Sequence, residues 1–229
     1  LTVAKAEAAA TAEAATAGTG AASWLEAKSL YFGDSATQSM SPSATADKRC
    51  GNFGTCISGG TVSTTNKKIM DAFVAGEADA TTYADNAAII SAQITITYMQ
   101  ATLRYVNKMD RDMAVAGATT AGWKNQGEGW GFSLVIADSL ASATAATVDG
   151  LYNLATRNTN TNNYCTAFTA ISTDAAYVAG DVGTLNDGGI ENDVGTADCL
   201  VVATATTPAP EPATVTPTPA PAPPPASSG

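Results

Sequence analysis

The sequence predicts a mainly α, bundle-like single domain over residues 1–203, with Gly/Asp-rich loops and an extended polyproline-type tail over residues 204–229. Three observations carry that prediction. Two long segments, 80–109 and 123–156, place apolar residues at helical spacing. Alanine inflates the 45% hydrophobic content, so the core is expected to be thin, with helices packed closely through small side chains. All but one of the ten prolines fall in the last segment, where they alternate with Ala and Thr.

Residues 2–17 are almost pure Ala, Thr, Glu and Lys and read as a helix. Gly18 and Gly20 separate it from a second helical stretch carrying Trp24, Leu25, Leu30, Tyr31 and Phe32. Residues 33–64 are rich in Ser, Thr, Gly and Pro and read as loop. Thr64 or Thr65 caps a helix over 66–76 that Gly76 ends. In 80–109, Tyr83, Ile90, Ile94, Tyr98, Ala101 and Tyr105 form one stripe, and Ile89, Ile96 and Leu103 lie off it. That helix is therefore expected to be buried on two sides. In 123–156, Trp130, Leu134, Ala141, Val148 and Tyr152 share one face, and Phe132, Ile136 and Leu140 another. A shorter helix is expected over 164–179. Residues 180–199 contain an echo, Gly-Asp-Val-Gly-Thr at 180–184 and Asn-Asp-Val-Gly-Thr at 192–196, compatible with a short hairpin.

The net charge of −10 repels phosphate backbones and anionic lipid surfaces, so nucleic acid and membrane insertion are not expected. The absence of histidine removes the commonest general base and excludes Ser-His-Asp or Cys-His catalysis, and no spacing of carboxylates recommends an enzyme. Cys50, Cys56, Cys165 and Cys199 show no CxxC spacing. Their even number reads as two disulfides in an oxidising compartment, secreted, extracellular or periplasmic. Of three connectivities, Cys50–Cys56 as a local clip and Cys165–Cys199 as a staple are favoured, the longer loop gaining about 3–4 kcal/mol in the chain-entropy view. The abrupt start at Leu1, without a visible signal peptide or membrane span, reads as a processed mature chain.

A free Pro/Thr/Ala tail buries too little apolar area to order itself. Two holders would order it: a neighbouring subunit, or O-linked glycans on Thr204, Thr206, Thr207, Thr214, Thr216 and Thr218. Extended at about 3.1 Å per residue, the tail is long enough to bridge subunits head to tail.

Three constellations carry possible chemistry. Trp24, Glu26, Tyr31, Asp110, Asp112 and Glu128 form an acidic and aromatic group whose carboxylate and phenolate oxygens are hard donors for iron(III), calcium or magnesium, with Glu26, Tyr31 and Glu128 as the metal candidates. Asp181, Asp187, Glu191, Asp193 and Asp198 sit in a Gly-rich loop whose spacing does not match an EF-hand and reads as turn chemistry, with calcium as the sharper option. Lys48, Arg49 and Arg104 offer cations, and Arg104 in an apolar helix is expected either to pair with Glu26 or Glu128 or to hold an anion.

Several runs occur in order: Trp24 to Ala27, Tyr31 to Gly33, Lys48 to Thr55, Tyr98 to Tyr105, Glu128 to Ile136, Leu151 to Leu154, then Tyr164-Cys165. Over residues 20–200 this order resembles the iron-assimilation family of green algae, secreted proteins induced by low iron, with diatom phytotransferrins as more distant relatives. The resemblance implies a helical secreted domain and iron(III) binding, with Glu26, Tyr31, Arg104, Tyr105 and Glu128 as the matching polar residues. Those relatives often carry the unit in tandem. The single copy and the Pro-rich tail point instead to reuse as a building block. The leading expectation is thus a structural subunit of an extracellular, O-glycosylated filament or coat that contacts itself. The alternative is a secreted iron(III)-binding protein.

Overall fold

The computed structural model describes residues 1–34, 36–58, 60–115, 117–185 and Cys199. Nine α-helices carry these residues: α1 (Thr2–Ala15), α2 (Ala21–Phe32), α3 (Pro42–Phe53), α4 (Thr64–Ala78), α5 (Tyr83–Ala114), α6 (Thr119–Ile136), α7 (Ser142–Tyr152), α8 (Asn163–Ser172) and α9 (Ala179–Val182). No strand occurs among them. Extended pairing is limited to one antiparallel bridge between Cys56 and Ser63. The fold is mainly helical, as expected. The tail, its threonines and residues 186–198 lie outside the described residues, so the tail and hairpin expectations are not addressed.

The long central helix α5 is the shared wall of two cores. Its N-terminal half supplies Tyr83, Ala87 and Ile90 to a cluster with Ala6 and Ala9 of α1, Trp24 and Tyr31 of α2, and Ile69 and Phe73 of α4. Its C-terminal half supplies Ile96, Met99, Leu103, Val106 and Met109 to a second cluster with Phe53, Ile136, Val148, Tyr152, Tyr164, Phe168 and Ile171. Burial on two sides is therefore correct, although Ile89 stays exposed.

The structure departs from the sequence reading at four elements. The stretch taken as loop contains α3. Ser41 caps it by accepting the Ala44 N–H, Pro42 occupies the first turn, and Gly54 stops it in the left-handed region at φ 68°. For α4 the cap is Ser63, not a threonine, and Gly76 lies inside the helix. The 123–156 segment is two helices, broken by a 3-10 turn at Ala137–Ser139, and Trp130 and Leu134 face outward rather than inward. The 164–179 stretch likewise splits into α8 and α9.

Both disulfides have the expected pairing, Cys50–Cys56 and Cys165–Cys199. The first clips the end of α3, and the second ties Cys199 to α8. The short α9 is sewn down by polar contacts. Lys68 of α4 donates to Asp181 at 2.6 Å, Gln93 of α5 donates to the same carboxylate at 3.2 Å, and Gln100 donates to the Val182 carbonyl at 2.8 Å.

Gly76 shows how small residues let the helices close. The indole of Trp24 is fully buried, donates to the Phe73 carbonyl at 3.1 Å and stacks on Tyr83 with centroids 4.5 Å apart. A Cβ on Gly76 would lie 2.5 Å from the Trp24 ring. Gly150 of α7, by contrast, has nothing within 4 Å of that position. Gly76→Ala is therefore expected to destabilise by about 1–3 kcal/mol despite its better helix propensity. Gly150→Ala is expected to stabilise by about 0.5–1 kcal/mol. Urea unfolding of the two variants checks the opposite signs.

Candidate functional site

The residues nominated from sequence divide among three places. Glu26 leaves the exposed face of α2 and pairs with Lys5 of α1 at 2.9 Å. Tyr31, on the buried face of the same helix, donates its hydroxyl to Asn66 Oδ1 at 2.6 Å. Asn66 in turn donates to the Ser43 carbonyl at 2.8 Å and to Asp47 Oδ1 at 2.7 Å. Burial, reinforced by the Asp47 charge and then by Tyr98, holds the Tyr31 phenol far above its ordinary value. Glu26 and Tyr31 thus serve separate partners, and neither is drawn toward Glu128.

Glu128 belongs to a third group. α6 presents it to the half-buried phenol of Tyr105 on α5, and Lys124 approaches its carboxylate from one turn away at 3.6 Å. The Tyr105 pKa is raised, first by burial and then by hydrogen bonding and repulsion from Glu128; Arg49 and Arg104 act against that rise. Lys108, one turn beyond Arg104, stands over the Tyr105 ring at 5.1 Å. Its pKa is lowered by burial and then by Arg104 and Arg111. Arg111 is offset by its neighbour Asp112 at 3.1 Å, and Asp112 is oriented by Asn125 at 2.7 Å. Arg104 acts on the same phenol as Glu128, lowering the Tyr105 pKa that Glu128 raises.

This group places a phenol and a carboxylate on adjacent helices, surrounded by cations from α3 and α5, in a chain whose net charge is −10. Sequence reading named Glu128, Tyr105, Arg49 and Arg104 separately. It missed Lys108, whose signal was its i+4 spacing from Arg104. Among the described residues no three His, Cys, Asp or Glu side chains gather as a metal site. In the Gly/Asp-rich constellation, Asp181 is held in the Lys68–Gln93 contact, and Asp187, Glu191, Asp193 and Asp198 lie outside the described residues. No described helix is long and apolar enough to cross a membrane.

Asp110 is structural. It is 3% exposed and accepts from Asn163 Nδ2 at 2.6 Å and from the Tyr164 N–H at 2.7 Å, capping α8 from α5. Burial outweighs these hydrogen bonds and lifts its pKa to about 6. An unfolded aspartate titrates near 3.9. Between about pH 4 and 6 the native state then binds the extra proton, so Asp110 makes stability fall as pH rises, by up to about 3 kcal/mol. The stability difference between wild type and Asp110→Asn is expected to shrink by about 2–3 kcal/mol from pH 4 to 6.5, with other carboxylates cancelling. Denaturant unfolding of both proteins across that range measures it; a pH-independent difference would exclude titration of Asp110. Comparison of the chain with known protein families, with curated proteins and with solved structures finds no match.

Proposed function

We propose that this chain is a secreted binding protein that holds iron(III) together with a small oxyanion at Tyr105 and Glu128. The observation that carries the proposal is the phenol–carboxylate pair within electrostatic reach of Arg49 and Arg104. Phenolate and carboxylate are hard oxygen ligands suited to a small, highly charged cation. With carbonate as the anion, the ligands bring four negative charges against three positive ones, and the guanidinium groups offset the surplus. Arginine forks also suit a planar oxyanion geometrically. Two disulfides fit the oxidising compartment such a protein would occupy. The family resemblance points the same way, with the ligand set moved from Glu26, Tyr31 and Glu128 to Tyr105 and Glu128.

Binding must displace the Tyr105 proton, which burial and Glu128 hold more tightly than usual. Iron affinity is therefore expected to fall about tenfold per pH unit on acidification from that proton alone. Titration of iron(III) in bicarbonate should give a visible phenolate-to-iron absorption, lost in Tyr105→Phe and in Glu128→Gln, and retained in Glu26→Gln. Absence of saturable iron binding at neutral pH would sink the proposal.

The filament reading rests on the composition of residues 204–229 and their candidate O-glycosylated threonines. Its test is deletion of that segment. Electron microscopy should show loss of fibres, and unchanged assembly would remove the tail from the mechanism.

A further inference from the structure

A second site lies between α2, α3 and α4, and it shares no residue with the Tyr105–Glu128 group. A cavity of about 380 Å³ opens there. That is at the small end of the roughly 300–1,000 Å³ range of small-molecule pockets. Phe32, Ile57, Val62 and Met70 supply its apolar walls, and Asp47 and Asn66 its polar lining. The Asn66 amide is committed. It accepts from Tyr31 and gives its two donors to Ser43 and Asp47. Asp47 Oδ1 is also committed, accepting from the Ser63 N–H at 2.7 Å as well as from Asn66. Asp47 Oδ2 takes no hydrogen bond from any described residue. Lys67 lines the same cavity without neutralising Asp47, because Asp71 holds its ammonium at 2.7 and 2.9 Å.

The cavity therefore has one uncompensated negative charge, a fixed carboxylate orientation and an apolar body. From this geometry we infer that it is a binding site for a small organic ammonium ion, with the cation on Asp47 and the hydrocarbon part against Phe32, Ile57, Val62 and Met70. An anion is disfavoured by the Asp47 carboxylate. A neutral apolar molecule would leave the carboxylate facing hydrocarbon, which costs free energy. Phe32 adds an aromatic wall of the kind that favours organic cations. The site is preorganised, since Tyr31, Asn66 and Ser63 lock Asp47 before any ligand arrives.

The test is calorimetric titration of the iron-free full chain with 2-phenylethylammonium and with 2-phenylethanol, its neutral analogue. The ammonium ion is expected to bind at one saturable site at least tenfold more tightly than the alcohol, and added salt should weaken only the ammonium. Asp47→Asn is expected to abolish the preference. Asp47 also holds the start of α4, so Met70→Lys provides a second variant at a residue 37% exposed. It should lose at least tenfold in ammonium affinity with an unchanged circular dichroism spectrum and melting temperature. Tyr105→Phe should bind the ammonium ion as wild type does, which separates this site from the iron proposal. Equal affinity for the two probes, absence of saturable binding, or wild-type affinity in folded Met70→Lys would overturn the inference.

Discussion

Burial of α5 is the constraint to which the rest of the fold answers. A 32-residue helix is about 48 Å long. Covering it along its length takes more apolar area than this chain, with its alanine-rich composition, can supply through large side chains alone. The fold meets that demand in two ways. Alanines and Gly76 let α1, α2 and α4 approach closely around Trp24 and the other large side chains of the first core. The second core also carries polar residues on the α5 surface, and three of them meet specific partners. Gln100 reaches Thr55 and Val182, Gln93 reaches Asp181, and Asp110 caps α8. Buried polar groups of this kind are costly when unsatisfied and specific when satisfied. They fix which loops lie against α5, which uniform alanine packing would leave undetermined.

The parts of this fold that local chemistry dictates were legible in the sequence. Periodicity located α5, start and stop signals located α4, and the cysteine positions located both disulfides. What escaped was set by residues distant in sequence. The break between α6 and α7 follows no proline or glycine. There the Ala141 N–H is taken by Asp174, 33 positions away, an interaction that periodicity cannot register. Gly76 reads locally as a stop, and only the Trp24 ring explains why it must be glycine inside a helix. The miss of α3 is different in kind. Ser41, Pro42 and Gly54 are ordinary start and stop signals, and the Ser/Thr-rich composition around them obscured the pattern. The candidate site shows the same division. Its residue types were nominated one by one, but the pairing of Glu128 with Tyr105 rather than with Tyr31 depends on how α6 lies against α5.

The positive charges are unevenly distributed along α5. Arg104, Lys108 and Arg111 occupy successive turns of one helix, and Arg104 and Arg111 contribute, after burial, to lowering the pKa of Lys108. Crowding like charges destabilises a helix. A chain with 21 acidic residues and only 11 basic ones could have dispersed them. Near one phenol and one carboxylate they make the local potential more positive than that of the chain as a whole. By contrast, Lys5–Glu26 and Lys67–Asp71 are surface pairs that stabilise the fold by no more than about 1 kcal/mol each.

The helix that sequence reading took as a loop links the two proposed sites. Asp47 and Arg49 lie two residues apart on α3, which puts them about 200° apart around the helix axis. The first lines the cavity against α4, and the second contributes to the potential at Tyr105 on α5. The same helix contributes Phe53 to the second core and Cys50 to the local disulfide. Cys50–Cys56 closes a short loop and so stabilises the chain less through entropy than Cys165–Cys199 does. Its position gives it a different use. It anchors the end of α3 to the turn carrying Ile57 and Val62, and so holds the cavity wall and the arginine in one rigid frame. In this fold the local disulfide is a positioning device, and the distant one, Cys165–Cys199, is the entropic staple.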